Sequence, residues 1–184
     1  MPSPCGFALA NPDWVFRIPH RILAGLIAGG VAGTAMAIVF MVAAAGALAP
    51  FYRPFQLIAA TVLGDAALLP SAGPGTVLLG VGFHFMVSIL LSGLFSTLTM
   101  SRSRPLIAIA GFFYGAVVWF VMQYVVFPSG VNLAWIARVP RSVFAIAHLI
   151  YGVSLLSLIP IETYLIRREL STPTPGVSRN SLAA

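Results

Sequence analysis

Lysine is absent from this chain, cysteine occurs once, at Cys5, and only 8% of the residues are charged. Soluble domains carry about 25% charged residues, so the scarcity of charge excludes an ordinary water-soluble globule. A single cysteine excludes an intrachain disulfide and any CxxC metal or redox motif. The carboxylates are Asp13, Asp65, Glu162 and Glu169, with no acid pair among them. There is likewise no nucleophile elbow, no HExxH and no P-loop. An enzyme is not expected.

What the chain does contain is apolar surface: 59% of its 184 residues are hydrophobic, and the mean hydropathy is +0.99. All ten basic residues are arginine, the formal charge is +6 and the isoelectric point is near 10.5. In a soluble protein that balance would suggest nucleic acid. Here the arginines sit at the ends of apolar runs, where they anchor to lipid headgroups, and the expected partner is the bilayer rather than nucleic acid.

Four runs are long enough for a helix to cross about 30 Å of hydrocarbon: Ile22 to about Leu48, Val77 to Thr99, Leu106 to Phe127 and Val143 to Ile166. The first follows Arg17 and Arg21 and ends in small residues, as a signal peptide does, but its apolar part exceeds an h-region of about 7–15 residues. It reads as a retained span. Lipid offers no hydrogen bonds, so the spans are expected as helices, and their lack of polar–apolar alternation argues against a lipid-facing barrel. Phe55 to Leu69 is apolar but short, bounded by Pro54 and Pro70 and broken by Gly64 and Asp65. It predicts an interfacial or re-entrant helix between spans one and two, with a turn over Ser71 to Thr76. Trp135, beside Arg138 and Arg141, predicts an interfacial anchor. The expected architecture is all-α: an integral membrane four-helix bundle over 16–170, with disordered tails over 1–15 and 171–184.

With four spans, both termini and the 100–105 link share one face, which holds Arg17, Arg21, Arg102, Arg104, Arg167, Arg168 and Arg179. Arg53, Arg138 and Arg141 lie on the other. The excess places both termini in the cytoplasm, and the short link predicts that spans two and three are antiparallel neighbours.

Helix association in lipid needs close backbone approach or interhelical hydrogen bonds. Gly25, Gly29 and Gly33 form a ridge at four-residue intervals in span one, continued by Ala37, and Gly111 and Gly115 repeat the spacing in span three. Such ridges serve either a seam with a second copy or a membrane-protein partner, or packing inside one bundle; the latter is the simpler expectation. In span two His84, Ser88, Ser92 and Ser96 share one slowly turning face. A polar stripe of this kind should point into the bundle or a wet crevice.

Counting depth at 1.5 Å per residue puts His84, His148 and Gln123 in one layer, roughly 7–9 Å below the outer boundary. Tyr151 and Gly152 lie one turn beyond His148, and Asp65 is the one carboxylate able to dip toward that layer. The simplest reading is a satisfied buried cluster, His84, Ser88, Gln123, His148 and Tyr151 bonding one another. Two alternatives use the histidines as ligands: a b-type haem held between spans two and four, or a divalent metal site or proton relay completed by Asp65. His20, at the inner surface, reads as a solvated interfacial histidine. Glu162, after Pro160, is expected to pair with Arg21, Arg102 or Arg104 at the rim, with use as a proton acceptor in transport as the alternative.

The glycine ridge at 25, 29 and 33, His84 with Ser88, the stretch GAVVWFVMQYVVFP from Gly115 to Pro128, and AHLIYG from Ala147 to Gly152 running on to Glu162 and RREL at 167–170 together resemble the small four-span bacterial inner-membrane proteins of the YagU-like kind. The resemblance covers about residues 20–170. It implies four spans, a bacterial cytoplasmic membrane and the two histidines as family features; it implies no catalytic residue and no mechanism. The functional expectation is a non-enzymatic membrane protein of structural or accessory role, with a small transporter, channel or cofactor-binding bundle on His84 and His148 as the alternative.

Overall fold

The computed structural model describes residues 13–99, 103–126 and 139–171, and among these there is no strand. Six helices follow in order: α1 Asp13–Gly46, α2 Arg53–Leu63, α3 Pro74–Leu98, α4 Arg104–Val121, α5 Arg141–Ser154 and α6 Leu158–Ser171. A 3₁₀ turn over Gly64–Leu68 extends α2, a π segment over Met122–Val126 extends α4, and a 3₁₀ turn over Leu155–Ser157 joins α5 to α6. The helices long and apolar enough to cross a membrane number four among the described residues: Pro19–Gly46, Pro74–Leu98, Arg104–Val126 and Arg141–Glu169. The chain is an all-α, multi-pass membrane protein of four spans.

Local sequence accounts for the interruptions. Proline cannot donate its backbone nitrogen and its ring collides with the carbonyl four residues earlier. For Pro160 that carbonyl belongs to Leu156, inside the 3₁₀ turn, so the fourth span tightens there and continues. Prolines also begin helices, where a missing N–H costs nothing: Pro54, Pro74 and Pro105 stand in the first turns of α2, α3 and α4. Gly64, at φ 63°, ends α2 in a conformation that glycine adopts freely.

α1 begins at Asp13, so residues 13–15 of the expected first tail are helical, and Ser171 closes α6. The remainder of both tails, together with Arg102, Trp135 and Arg138, lies outside the described residues. The connectivity by contact differs from that expected of a short link. The closest backbone packing pairs α1 with α3 and α4 with α5, and α1 also runs along α5 and α6. α3 and α4 meet instead through long side chains, with the Tyr114 ring 5.1 Å from that of Phe95 and its hydroxyl donating to the Leu91 carbonyl at 2.7 Å. A tight link constrains where a helix begins, not how near it stays.

The packing follows from small residues. A Cβ on Gly29 would stand 2.6 Å from Ile89 Cα and 2.8 Å from the Ser88 carbonyl oxygen, and one on Gly33 would stand 2.9 Å from Ser88 Cβ. α1 therefore lays its glycine ridge directly on the serine stripe of α3, inside one chain. Gly111 and Gly115 face α5 in the same way, against the carbonyls of Gly152 and His148. Both ridges are consumed within the bundle. The buried core is correspondingly small in side chain, with Ala24, Ala28, Ala32 and Ala147 at its centre beside Phe95, Ile107, Tyr151, Leu155 and Leu158.

A buried cavity at the far end of the bundle

The polar stripe of α3 faces inward: His84, Ser88, Ser92 and Ser96 are buried, at 7% exposure or less. Ser92 Oγ donates to the Gly25 carbonyl at 2.6 Å, an interhelical bond that the missing side chain on α1 makes possible. Ser96 Oγ instead bonds back within its own helix, to Gly93 at 2.7 Å, as serines in apolar helices do. One turn past Gly29, His84 Nε2–H donates to the Gly33 carbonyl at 2.8 Å.

His148, on α5, is 3% exposed and donates Nδ1–H to the Phe144 carbonyl one turn earlier, at 2.8 Å. Tyr151 donates its hydroxyl proton to the Ser88 carbonyl at 2.7 Å, tying α5 to α3 across the bundle. Each of these groups has spent its proton on a backbone oxygen. In a neutral imidazole one ring nitrogen is donor and the other acceptor, so His84 retains a lone pair on Nδ1 and His148 one on Nε2. Neither lone pair has a partner among the described residues.

His84, Ser88, His148 and Tyr151 line one cavity of about 280 Å³. It occupies the gap that the loose approach of α3 and α4 leaves, and apart from Thr61, whose hydroxyl donates to the Ile58 carbonyl, its remaining wall is apolar, including Phe40 of α1, Leu57 of α2, Phe83 and Leu91 of α3, Val118 of α4 and Phe144 of α5. α2 closes the far end. It can approach because α3 carries Gly80, where a Cβ would collide with the Phe55 backbone, and the Phe55 ring stands edge-on to His84 at 6.0 Å. Gly80 and His84 are six and ten residues into α3, so the first turn of α2 lies about 9–15 Å along that helix, beside the span rather than capping it. Val87, exposed on α3, also lines the cavity, so the wall reaches the surface that faces lipid.

Two residues expected in this layer stand apart from it. Asp65 is exposed, in the 3₁₀ turn beyond α2, and does not line the cavity. Gln123, in the π segment, is half-buried; its neighbours Met122 and Val126 face the cavity and it does not. Depth along a helix gives a residue's level and leaves its azimuth open. Among the described residues no three His, Cys, Asp or Glu side chains converge on a point where a metal could sit.

At the opposite end, Glu162 pairs with Arg21, one of its three candidate partners, with Nη1 to Oε2 at 2.7 Å; Arg102 lies outside the described residues. Both are buried, at 8% and 4% exposure. The same guanidinium donates through Nε to the Thr99 carbonyl at 2.9 Å and to that of Ser96 at 3.3 Å, satisfying carbonyls that the end of α3 leaves without helical partners. His20 is engaged too, its Nε2 2.7 Å from a carboxylate oxygen of the exposed Glu169, rather than solvated alone. Arg21 thus joins α1, α3 and α6 at the end that holds the start of α1 and the end of α6.

No protein-family model, curated protein or solved structure matches this chain. The likeness to YagU-like proteins therefore rests on the sequence motifs alone.

Proposed function

We propose that this chain is a non-enzymatic membrane protein of the bacterial cytoplasmic membrane, both termini inside, that binds a small lipophilic molecule in the cavity between α2, α3, α4 and α5. The observation that carries this reading is the joint lining of that cavity by His84, Ser88, His148 and Tyr151 within an otherwise apolar wall. A concave, mostly apolar site with a few convergent polar groups is the general form of a small-molecule site. Its wall reaches the lipid-facing surface at Val87, so a ligand dissolved in the bilayer can enter sideways. An accessory role assembled through the glycine ridges gains less support, because those ridges face other helices of the same chain.

Photolabelling with an apolar aryl diazirine tests it. Labelled positions mapped by mass spectrometry should include Leu91, Phe144 and His148, and filling the cavity with Val118→Phe should remove those labels while lipid-facing Leu90 and Ile109 stay labelled. Labelling confined to the lipid-facing positions would overturn the proposal.

A second reading has one specific support. Histidines that bind metals give their other N–H to a carbonyl or carboxylate, which fixes the tautomer and aims the lone pair, and His84 and His148 both do this. A b-type haem or a divalent metal could use the two lone pairs, although two imidazoles without a carboxylate form a sparse donor set. Metal analysis and a Soret band that vanishes in His148→Ala would establish it.

A further inference from the structure

Resting on the cavity reading, we infer from the accounting of protons at its wall that the ligand is an uncharged molecule with a hydroxylated aromatic head, of the phenol or hydroquinone class, on an apolar body. The ring nitrogens that the two lining histidines have left are acceptors, since each ring has committed its N–H to a backbone carbonyl, His84 to Gly33 and His148 to Phe144. Tyr151 has committed its O–H to the Ser88 carbonyl and Thr61 its own to the Ile58 carbonyl, so among the described lining residues the Ser88 hydroxyl is the donor that remains. What the two histidines and Tyr151 still offer are lone pairs. A ligand that brings only acceptors, such as a quinone, an ester or an ether, can take one bond from the Ser88 hydroxyl and sets its other oxygens against the imidazole lone pairs, leaving those lone pairs unbonded, which is the costly case for buried polar groups. A ligand that brings O–H groups satisfies itself and the imidazoles together.

Charge narrows the class further. Among the described residues the cavity is lined by no carboxylate, so a cationic head would enter an apolar site without a counter-ion, at a desolvation cost that only a paired charge offsets. An anionic head would meet lone pairs. The aromatic preference comes from the wall, where Phe40, Phe83 and Phe144 stand and Phe144 meets the His148 ring edge to face at 4.4 Å. Flat rings stack against such surfaces in offset or edge-on geometry.

The test compares three probes of nearly equal size and hydrophobic body, with the full chain in lipid nanodiscs under argon: 2-decylhydroquinone, 2-decylbenzoquinone and the dimethyl ether of the hydroquinone. The hydroquinone should bind at least tenfold more tightly than either of the others. His148→Phe, which keeps an aromatic ring and removes the lone pair, should cut hydroquinone affinity about tenfold and leave the ether unchanged, the unchanged ether showing that the cavity persists. Equal or tighter binding of ether or quinone would overturn the protic class while leaving the cavity reading intact. Failure of all three to bind wild type would overturn it as well, and the diazirine labelling pattern then decides the cavity separately. If His148→Phe does not fold, the wild-type ratio of hydroquinone to ether decides alone.

Discussion

At the scale of single residues, the clearest energetic commitment in the chain is the Arg21–Glu162 pair. Two ions taken out of water lose hydration worth several kcal/mol each, and their attraction repays this only with good geometry and further hydrogen bonds. Arg21 has both, since its remaining donors reach the carbonyls at the end of α3. Removing one partner strands the other charge. Glu162→Ala and Arg21→Ala should each destabilise the protein by about 3–5 kcal/mol, measured as unfolding in mixed micelles, whereas the double change Arg21→Met with Glu162→Met should cost much less than the sum. Additive losses would show that the two side chains act independently.

At the scale of helices, the α1–α3 seam exists because one face of α1 has no side chains. The prediction is positional. Gly29→Ala forces a methyl group against the Ile89 and Ser88 backbone, which cannot rotate away, and should cost about 1–3 kcal/mol. Gly30→Ala, one residue along, meets nothing within 4 Å and should be neutral or stabilising by up to about 1 kcal/mol, from helix propensity. Parallel thermal melts of the two variants check this, and equal losses would mean that α1 does not pack on α3 through its ridge. The ridge, the serine stripe and the four spans were all legible in the sequence, because the solvent dictates hydropathy and helical periodicity fixes which residues share a face. Their meeting was not, for a groove on one helix and small polar side chains on another become complementary only once the pairing is known. Gly152 and Gly80 carry the same lesson. Neither belongs to a four-residue glycine repeat that would announce it, yet each is where a neighbouring backbone comes close. The candidate site was legible to the same extent: the level of His84 and His148 follows from counting, while the exclusion of Asp65 and Gln123 depends on azimuth, which a count of residues does not contain.

At the scale of the whole molecule, four crossings place the start of α1, the start of α4 and the end of α6 at one end of the bundle, and orientation then follows the excess of arginine near the span ends. By sequence position seven arginines are assigned to that end and three to the other, with Arg102, Arg138 and Arg179 among those outside the described residues. They do not count equally. Arg21 is neutralised by Glu162 inside the bundle and is buried, so its contribution to the field felt by the membrane is small, and the effective balance is six against three. The bias survives that correction, so a fluorescent-protein fusion at the C-terminus should be bright and cytoplasmic, while alkaline phosphatase inserted at Ala72, in the turn before α3, should be active outside. Moving charge should move the answer. Replacing Arg102, Arg104, Arg167, Arg168 and Arg179 with Gln leaves Arg17 and Arg21 at the terminal end against three at the other, and should convert a measurable fraction of molecules to the inverted orientation, read as phosphatase activity from a C-terminal fusion. Because Arg21→Gln removes a charge already paired, it should leave the ratio of orientations nearly unchanged while lowering stability, and a strong topological effect from that single change would mean that the ion pair forms only after insertion is complete.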